Sequence, residues 1–141
     1  MHTPQMDCEE RCRVEVEQLH RFFQDWFKGT MPKTVETFDR FANVLAPSFE
    51  LLSPIGRILK REGILIALRS GHGGQPHCQI WIENHRHRMT IGDLTLVTYE
   101  EWQQVGEERR GRLSSALLQA REDTPNGLQW LHVHETWLPT D

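Results

Sequence analysis

The first part of the chain carries hydrophobic residues at helical spacing. A wide apolar stripe at positions i, i+3, i+4, i+7 and i+8 predicts an amphipathic helix. The residues of this stripe are Leu19, Phe22, Phe23, Trp26 and Phe27. Gly29 is expected to end the helix, because glycine readily adopts the left-handed conformation at a helix C-terminus, and Pro32 cannot continue it.

A second helical pattern follows and is expected to end at Pro47, with Thr30 as its N-terminal cap. Its apolar positions are Val35, Phe38, Phe41, Ala42 and Leu45. Two short extended segments are predicted at residues 48–52 and 57–59, where proline and glycine interrupt the pattern. A third, short helix is predicted over residues 60–69.

The second half of the chain changes to extended patterning near residue 77. Strands are predicted at residues 77–90, 94–103, 110–120 and 128–138, separated by turn signals. Helices therefore precede an antiparallel meander, an order that predicts an α+β domain with the helices on one face of the sheet. The length of 141 residues allows one domain. We predict a flexible N-terminus over residues 1–14 and a single domain over residues 15–138.

The composition is that of a globular protein, and it excludes some partners. Hydrophobic residues make up 38% and charged residues 26% of the chain, which argues against disorder. The formal net charge is −4, from 16 basic and 20 acidic residues. We expect no nucleic-acid partner, because the chain has no basic field for a phosphate backbone. We expect no membrane partner, because the longest apolar run, near residues 63–68, is far too short for a membrane span.

The three cysteines, Cys8, Cys12 and Cys78, indicate a reducing compartment. Their odd number, together with a polar and acidic N-terminus that is unlike a secretory signal, predicts a cytoplasmic location. Cys8 and Cys12 are four residues apart and would share one face of a helix. They are either two ordinary thiols or a redox pair or half of a metal site.

Three segments of this pattern resemble the nuclear transport factor 2-like superfamily. They are the aromatic first helix FFQDWF at residues 22–27, the hairpin sequence IGDLTLVTYE at residues 91–100 and the last strand GLQWLHVHET at residues 127–136. The resemblance covers residues 15–138 and points to the SnoaL-like and uncharacterised branches. It implies a cystatin-like cone, in which N-terminal helices pack on the concave face of a strongly curved antiparallel sheet. The superfamily holds isomerases, dehydratases, polyketide cyclases and oligomerisation domains, so the fold does not settle the activity.

A register for the sheet predicts which side chains line a pocket. If Gly92 and Asp93 form a two-residue hairpin loop and Trp102 pairs with Arg112, cross-strand partners place one set of side chains on a common face. That face combines apolar and polar groups, as a small-molecule pocket requires. Its predicted ligand-binding residues are Trp81, Glu83, Trp102, Arg112, Ser114, Trp130 and His132. A slip of one residue would move a whole strand's side chains to the other face.

The predicted catalytic pair of this pocket is His134 with Glu100, and Glu83 is the alternative carboxylate. A carboxylate that accepts from one imidazole nitrogen leaves the other nitrogen as a general base, although an ordinary buried polar network would use the same residues. Arg112 would either bind the acid group of a ligand or pair with Glu83 or Glu100, and in the empty protein it is expected to contact a carboxylate. The spacing His132-x-His134 would also suit two metal ligands on a strand. The resemblance, however, implies a pocket without metal or cofactor.

The opposite face of the predicted sheet is too apolar for solvent, which predicts a homodimer through this outer face. Its residues in the predicted register are Ile80, Ile82, Val97, Tyr99, Leu113, Leu117, Leu131, Val133 and Trp137. The only tyrosine, Tyr99, then lies outside the pocket, which disfavours the chemistry of ketosteroid isomerases.

The sequence thus favours a cytoplasmic homodimer with one pocket per subunit for an unidentified small molecule. Whether the chain is a binding protein or a cofactor-independent enzyme stays open at this point. One alternative is a lyase, isomerase or hydrolase that uses the His–Glu pair. Another is a purely structural dimerisation domain.

Overall fold

The computed structural model describes residues 6–139, which form helices and strands in the predicted order. The elements are α1 (Cys8–Lys28), α2 (Val35–Ala42), β1 (Leu45–Leu52), β2 (Ile58–Lys60), α3 (Arg61–Ser70), β3 (Gln79–Ile91), β4 (Leu94–Val105), β5 (Glu108–Ala120) and β6 (Leu128–Trp137). None of the helices between residues 6 and 139 has the length and hydropathy needed to span a bilayer.

The strands form one sheet in the order β2-β1-β6-β5-β4-β3. Strands β3 to β6 are the predicted antiparallel meander, and β1 joins β6 in parallel. The helices pack on one face of this sheet, which we call the inner face; the other is the outer face. This arrangement confirms the predicted α+β class and the cystatin-like cone.

The core fills the space between the helices and the inner face. Its members with the lowest exposure are Cys12, Val16, Leu19, Trp26, Val44, Val97, Tyr99, Ala116, Leu118, Leu128 and Trp130. The apolar stripe of α1 therefore contacts the sheet, as its periodicity predicts. Burial of each large apolar side chain stabilises the fold by roughly 1.5–3 kcal/mol.

Helix α1 begins earlier than the sequence predicts. Its N-terminal cap is Asp7, whose carboxylate accepts a hydrogen bond from the Glu10 amide at 2.8 Å. Cys12 in the second turn is fully buried. The structure therefore differs from the predicted flexible segment over residues 1–14, because the helix already starts at residue 8. Residues 1–5 lie outside the described part of the chain.

Other helix ends follow from local signals, with two corrections. Gly29 ends α1 with a φ angle of 77°, as predicted. Helix α2 is capped by Thr34, whose hydroxyl accepts from the Thr37 amide at 3.2 Å, and not by Thr30. Pro47, predicted to end this helix, lies within β1. Proline is tolerated there because the pairing of β1 with β6 is irregular between residues 45 and 50.

The β3–β4 hairpin closes as predicted, but its register then shifts. Ile91 pairs with Leu94 across the two-residue loop. Two irregularities in β3 follow, so that Glu83 faces Glu100 and not Trp102. Each extra residue in a strand moves the following side chains to the opposite face.

The β4–β5 and β5–β6 pairings also depart from the predicted register. Arg112 pairs with Glu101, one residue from the predicted partner Trp102. Strand β6 contains a bulge between Trp130 and His132. These shifts decide which polar side chains reach the inner face.

Candidate functional site

A cavity of about 460 Å³ lies between the helices and the inner face of the sheet. Its walls are mostly apolar and come from both layers, with Leu19, Phe23, Phe27, Phe41, Ile64 and Leu68 on the helices and Phe49, Leu51, Ile80, Trp130 and Val133 on the sheet. The polar side chains that line it include His20, Gln75, Tyr99, Glu101, Gln103, Arg112 and Glu135. Apolar walls with a few convergent polar groups are typical of small-molecule sites.

Four of these polar side chains form a continuous network, which we call the cavity quartet: His20, Glu101, Arg112 and Glu135. The Nε2 atom of His20 lies 2.9 Å from Oε1 of Glu101. Arg112 pairs with Glu101 and also donates from Nη1 to Oε1 of Glu135 at 3.3 Å. The register brings these groups together, because Glu101 faces Arg112 and β6 is the next strand.

Glu101 lies between the His20 ring and the Arg112 guanidinium. The Nδ1 atom of His20 lies 2.8 Å from the carbonyl oxygen of Val16 and its Nε2 atom faces Glu101, so both ring nitrogens face acceptors. Burial by itself raises the pKa of Glu101, but the hydrogen bond from His20 and the charge of Arg112 outweigh it. They lower the pKa of Glu101 from 4.5 to about 2.

Glu135 titrates in the opposite direction. Burial raises its pKa, and the negative charge of Glu101 adds to this effect while Arg112 opposes it. Burial and the same two carboxylates raise the pKa of Tyr99 well above its usual value. Arg112 thus pairs with two carboxyl groups whose pKa values are shifted in opposite directions. Glu101 keeps its charge, whereas Glu135 is the group better suited to exchange a proton.

Arg112 is a predicted ligand-binding residue that lines the cavity. The expectation that it contacts a carboxylate in the empty protein is confirmed. Its partners are Glu101 and Glu135, and not the predicted Glu83 or Glu100. Burial lowers the pKa of Arg112, but the two carboxylates outweigh this effect and raise the pKa above its usual value.

Trp130 and Ser114 also lie on the inner face. Trp130 lines the cavity, and its indole nitrogen donates to Oε2 of Glu15 at 2.9 Å. Ser114 faces Tyr99 and is fully buried, but it is not part of the cavity wall. Within residues 6–139, the Ser114 hydroxyl has no hydrogen-bond partner.

Four residues predicted for the pocket lie on the outer face instead: Trp81, Glu83, Glu100 and Trp102. On β4, these outward positions alternate with Tyr99 and Glu101, which line the cavity. The predicted placement of the four residues is therefore wrong. The cause is the one-residue register difference, because Arg112 faces Glu101 across the β4–β5 pair.

His132 and His134 also lie on the outer face. Ser115, which alternates with the inward-facing residues of β5, pairs with His134. The bulge after Trp130 causes this, because it shifts the alternation of β6 by one residue. The two residues of the predicted catalytic pair do not lie on neighbouring strands, since Glu100 on β4 and His134 on β6 are separated by β5. Within residues 6–139, no group of three or more possible metal ligands is present around the two histidines or elsewhere.

Several residues predicted for the outer face lie on the inner face instead, because of the same differences in strand register. Four of these residues are buried on the inner face, namely Ile80, Val97, Tyr99 and Val133. Trp137 pairs with Arg112 and so shares the face of the cavity residues. Leu113 and Leu117 do lie on the outer face, where Leu117 pairs with Leu96.

Sequence reasoning does not identify His20, Glu101 or Glu135. His20 carries a usable signal, because it lies next to Leu19 on the apolar stripe of α1, where a polar residue needs a buried partner. Glu101 has no such signal. Whether Glu101 or Glu100 reaches the cavity depends on the strand pairing, which periodicity alone does not give.

The family model described as "Sucrose-6-phosphate phosphohydrolase C-terminal" matches residues 12–139. The chain belongs to this family. Within it, the chain is 31% identical over 127 residues to sucrose-phosphatase 1 of Nicotiana tabacum and 28% identical to sucrose-phosphatase 2 of the same plant. Both alignments cover 88% of this chain but only 30% of the relative.

Solved structures share the fold of this chain. A nuclear transport factor 2-like protein of unknown function from Pseudomonas aeruginosa matches with a TM-score of 0.80 and 24% identity, over 94% of this chain and 100% of that one. The S. rosetta CaMKII hub matches with a TM-score of 0.66 and 12% identity, over 96% and 100% of the two chains. At these identities the likeness establishes the fold, which is the fold implied by the resemblance to the nuclear transport factor 2-like superfamily.

Proposed function

We propose that this domain binds a small, largely apolar molecule in the cavity and orients it with the cavity quartet. The observation that carries the proposal is a 460 Å³ cavity whose apolar walls meet an ionised network on one side. A buried network of charges costs desolvation energy that apolar packing would avoid. A ligand in the cavity that contacts the network would explain why these charges are buried there.

The ligand is expected to be neutral. Among the described residues that line the cavity, Arg112 carries a positive charge, and it already faces Glu101 and Glu135. A phosphate or carboxylate ligand would have to compete with Glu101 and Glu135 for Arg112. A hydroxyl or amine avoids this competition, because it can donate to the second carboxylate oxygen of Glu135.

The relatives suggest the setting in which this binding takes place. They are named as sucrose-phosphatases, and this chain spans about 30% of their length. We propose that hydrolysis of sucrose phosphate belongs to the remainder of such proteins and that this domain accompanies it as a binding module. We place the chain in the cytoplasm because Cys8, Cys12 and Cys78 are free thiols.

A neutral fluorescent probe tests the cavity. N-phenyl-1-naphthylamine combines an apolar body with one N–H donor, and its emission rises in apolar surroundings. We expect saturable binding of one probe per chain. Val133→Phe, which narrows the cavity beside Glu135, should abolish binding, whereas Thr136→Phe on the outward side of the same strand should not. Equal binding by the two variants, with both folded by circular dichroism, would contradict the proposal.

Glu135 supports a second candidate, a cofactor-independent enzyme. Both nitrogens of His20 already face acceptors, which leaves that imidazole no free position for proton transfer. Glu135 lines the same cavity with a raised pKa and is the better acid or base. If a substrate is found, Glu135→Gln should abolish turnover while probe binding persists. Unchanged turnover in this variant would exclude the assignment.

We also propose that the outer face forms a homodimer. Leu94, Leu96 and Leu117 lie together on this face, and Ile91 next to them is 69% exposed. Exposed apolar surface of this kind favours self-association. Sedimentation velocity should give about twice the chain mass of 16.6 kDa, and Leu117→Lys should give the monomer. A wild-type monomer at micromolar concentration would rule out the dimer.

A further inference from the structure

Two tryptophans form a flat aromatic surface on the outer face. Trp81 and Trp102 are cross-strand partners, with ring planes 16° apart and ring centres 6.5 Å apart. The guanidinium carbon of Arg109 lies 5.2 Å from the ring centre of Trp81 and 4.6 Å from that of Trp102. Because one guanidinium lies over both rings, the two rings turn a face to the same side. We call this pair the tryptophan platform.

Gly111 explains why the Trp102 ring lies against the sheet. It is the cross-strand partner of Trp102 on β5. A Cβ atom at Gly111 would come within 2.8 Å of the indole, so the ring occupies the space that a side chain would fill. The indole therefore rests over the glycine and presents its other face outward. Such a packed ring is held in place before any ligand arrives, which lowers the entropic cost of binding.

Two carboxylates border the platform. The indole nitrogen of Trp81 donates to Oε2 of Glu83 at 2.8 Å, and that of Trp102 donates to Oε1 of Glu100 at 3.1 Å. Glu83 and Glu100 face each other across the strands, a pairing of like charges that destabilises a sheet. Arg109 offsets it only in part, through a 3.5 Å contact with Glu83. The border is thus rich in acceptors and carries two negative charges against one positive charge.

We propose that the tryptophan platform binds the pyranose ring of a neutral sugar. The C–H face of a pyranose is flat and apolar and packs on an indole, as apolar groups do on aromatic surfaces. The hydroxyls at the ring edge then donate to Glu83 and Glu100 in charge-assisted hydrogen bonds. Arg109 can move aside, because its side chain is 53% exposed and its charge is not buried in either position. The excess negative charge disfavours a phosphorylated sugar.

This site is separate from the cavity and from the apolar patch of the proposed dimer. Trp102 faces away from Tyr99 and Glu101, which line the cavity. It lies six residues along β4 from Leu96, about 20 Å at the rise of an extended strand. Sugar binding here therefore does not depend on what the cavity holds.

The indole N–H resonances of the chain give a direct test, because they report each of its 5 tryptophans separately in a proton–nitrogen NMR spectrum. Sucrose and methyl glucoside are the probes. We expect the signals of Trp81 and Trp102 to shift together in a saturable way, while those of Trp26 and Trp130 stay in place. Sucrose 6-phosphate should bind more weakly than sucrose. A shift of Trp130 instead would put the sugar in the cavity and overturn the proposal, as would the absence of any shift.

Three variants test whether sugar binding requires the tryptophan platform or is affected by the loss of any partly exposed tryptophan. Trp102→Ala should weaken sucrose binding roughly tenfold, the usual scale of one aromatic contact. Gly111→Ala keeps both rings but displaces Trp102, and it should weaken binding as well. Trp137→Ala is the matched control, because this tryptophan is also partly exposed and stacked, with Arg110 over its ring at 3.8 Å. A loss of binding in the control equal to that in Trp102→Ala would overturn the proposal.

Discussion

The indole nitrogen of Trp130 donates to the carboxylate of Glu15 over 2.9 Å, although the two residues are 115 positions apart in the chain. Glu15 is fully buried. It also accepts from Arg40 at 2.8 Å and from the side-chain amide of Asn126 at 2.8 Å. One carboxylate on α1 thus binds α2, β6 and the β5–β6 turn. The cavity depends on this contact, because Trp130 forms part of its wall.

Glu15→Ala is expected to destabilise the domain strongly. The substitution leaves Arg40, Asn126 and the Trp130 indole without their shared acceptor. Removal of one partner from a buried ion pair costs about 3–5 kcal/mol. Urea unfolding followed by circular dichroism measures the change. Glu17→Ala is the control, because its pair with Arg13 is about half exposed and should contribute less than about 1 kcal/mol.

The two carboxylates on Arg112 are expected to respond differently to conversion into amides. Glu101→Gln removes the negative charge between His20 and Arg112 and should cost about 3 kcal/mol. Glu135→Gln should cost less than Glu101→Gln, because burial raises the pKa of Glu135 whereas the pKa of Glu101 is lowered, so the fold favours the ionised form of Glu135 less. Urea unfolding of both variants at neutral pH makes the comparison. Equal losses would show that the two carboxylates carry the same share of the Arg112 pairing.

Acid should remove the contribution of Glu101 to stability. The pKa of Glu101 is about 2 in the folded domain against its ordinary 4.5, so folding favours the ionised form. Its stabilisation is therefore complete above about pH 4.5 and is lost as the pH falls towards 2. The free energy of unfolding of the wild type minus that of Glu101→Gln should shrink over this interval. A difference that stays constant down to pH 3 would contradict the lowered pKa.

Thiol reagents should distinguish the cysteines. Burial, with the neighbouring Cys8, raises the pKa of Cys12 from 9.0 to about 12, and burial also raises the pKa of Cys78. Cys8 is partly exposed. Iodoacetamide at pH 8 should therefore modify Cys8 first in the native domain, as peptide mass spectrometry will show, and all three thiols in urea. A Cys8–Cys12 disulfide formed under mild oxidation would instead support the redox pair that their spacing allows.

Local sequence signals determine most of the secondary structure. The apolar stripe of α1 needs only its own residues, and Gly29 ends the helix through its own backbone conformation. The loop at Gly92 likewise closes the β3–β4 hairpin without help from distant residues. These features rest on contacts between residues close in the chain, which periodicity and turn chemistry describe.

Some side chains of the site could also be assigned from the sequence. Arg112 and Trp130 reach the inner face as predicted. Arg112 lies on β5, whose alternation is unbroken, and Trp130 precedes the bulge of β6. Alternation gives the relative faces of residues along a strand without irregularities, but the face of the strand as a whole depends on its register, as Glu100 and Trp102 on the regular strand β4 show.

Tertiary structure alone decided the remaining residues of the site. One residue of register across the β4–β5 pair places Glu101, and not Glu100, beside Arg112. The bulge after Trp130 turns Glu135 inward and His134 outward. Neither the register nor the bulge has a local sequence signal. Alternation divides the residues of a strand between two faces, but it does not say which face another layer will cover. Here the helices make that choice, since the face that α1 covers becomes the one that holds the cavity.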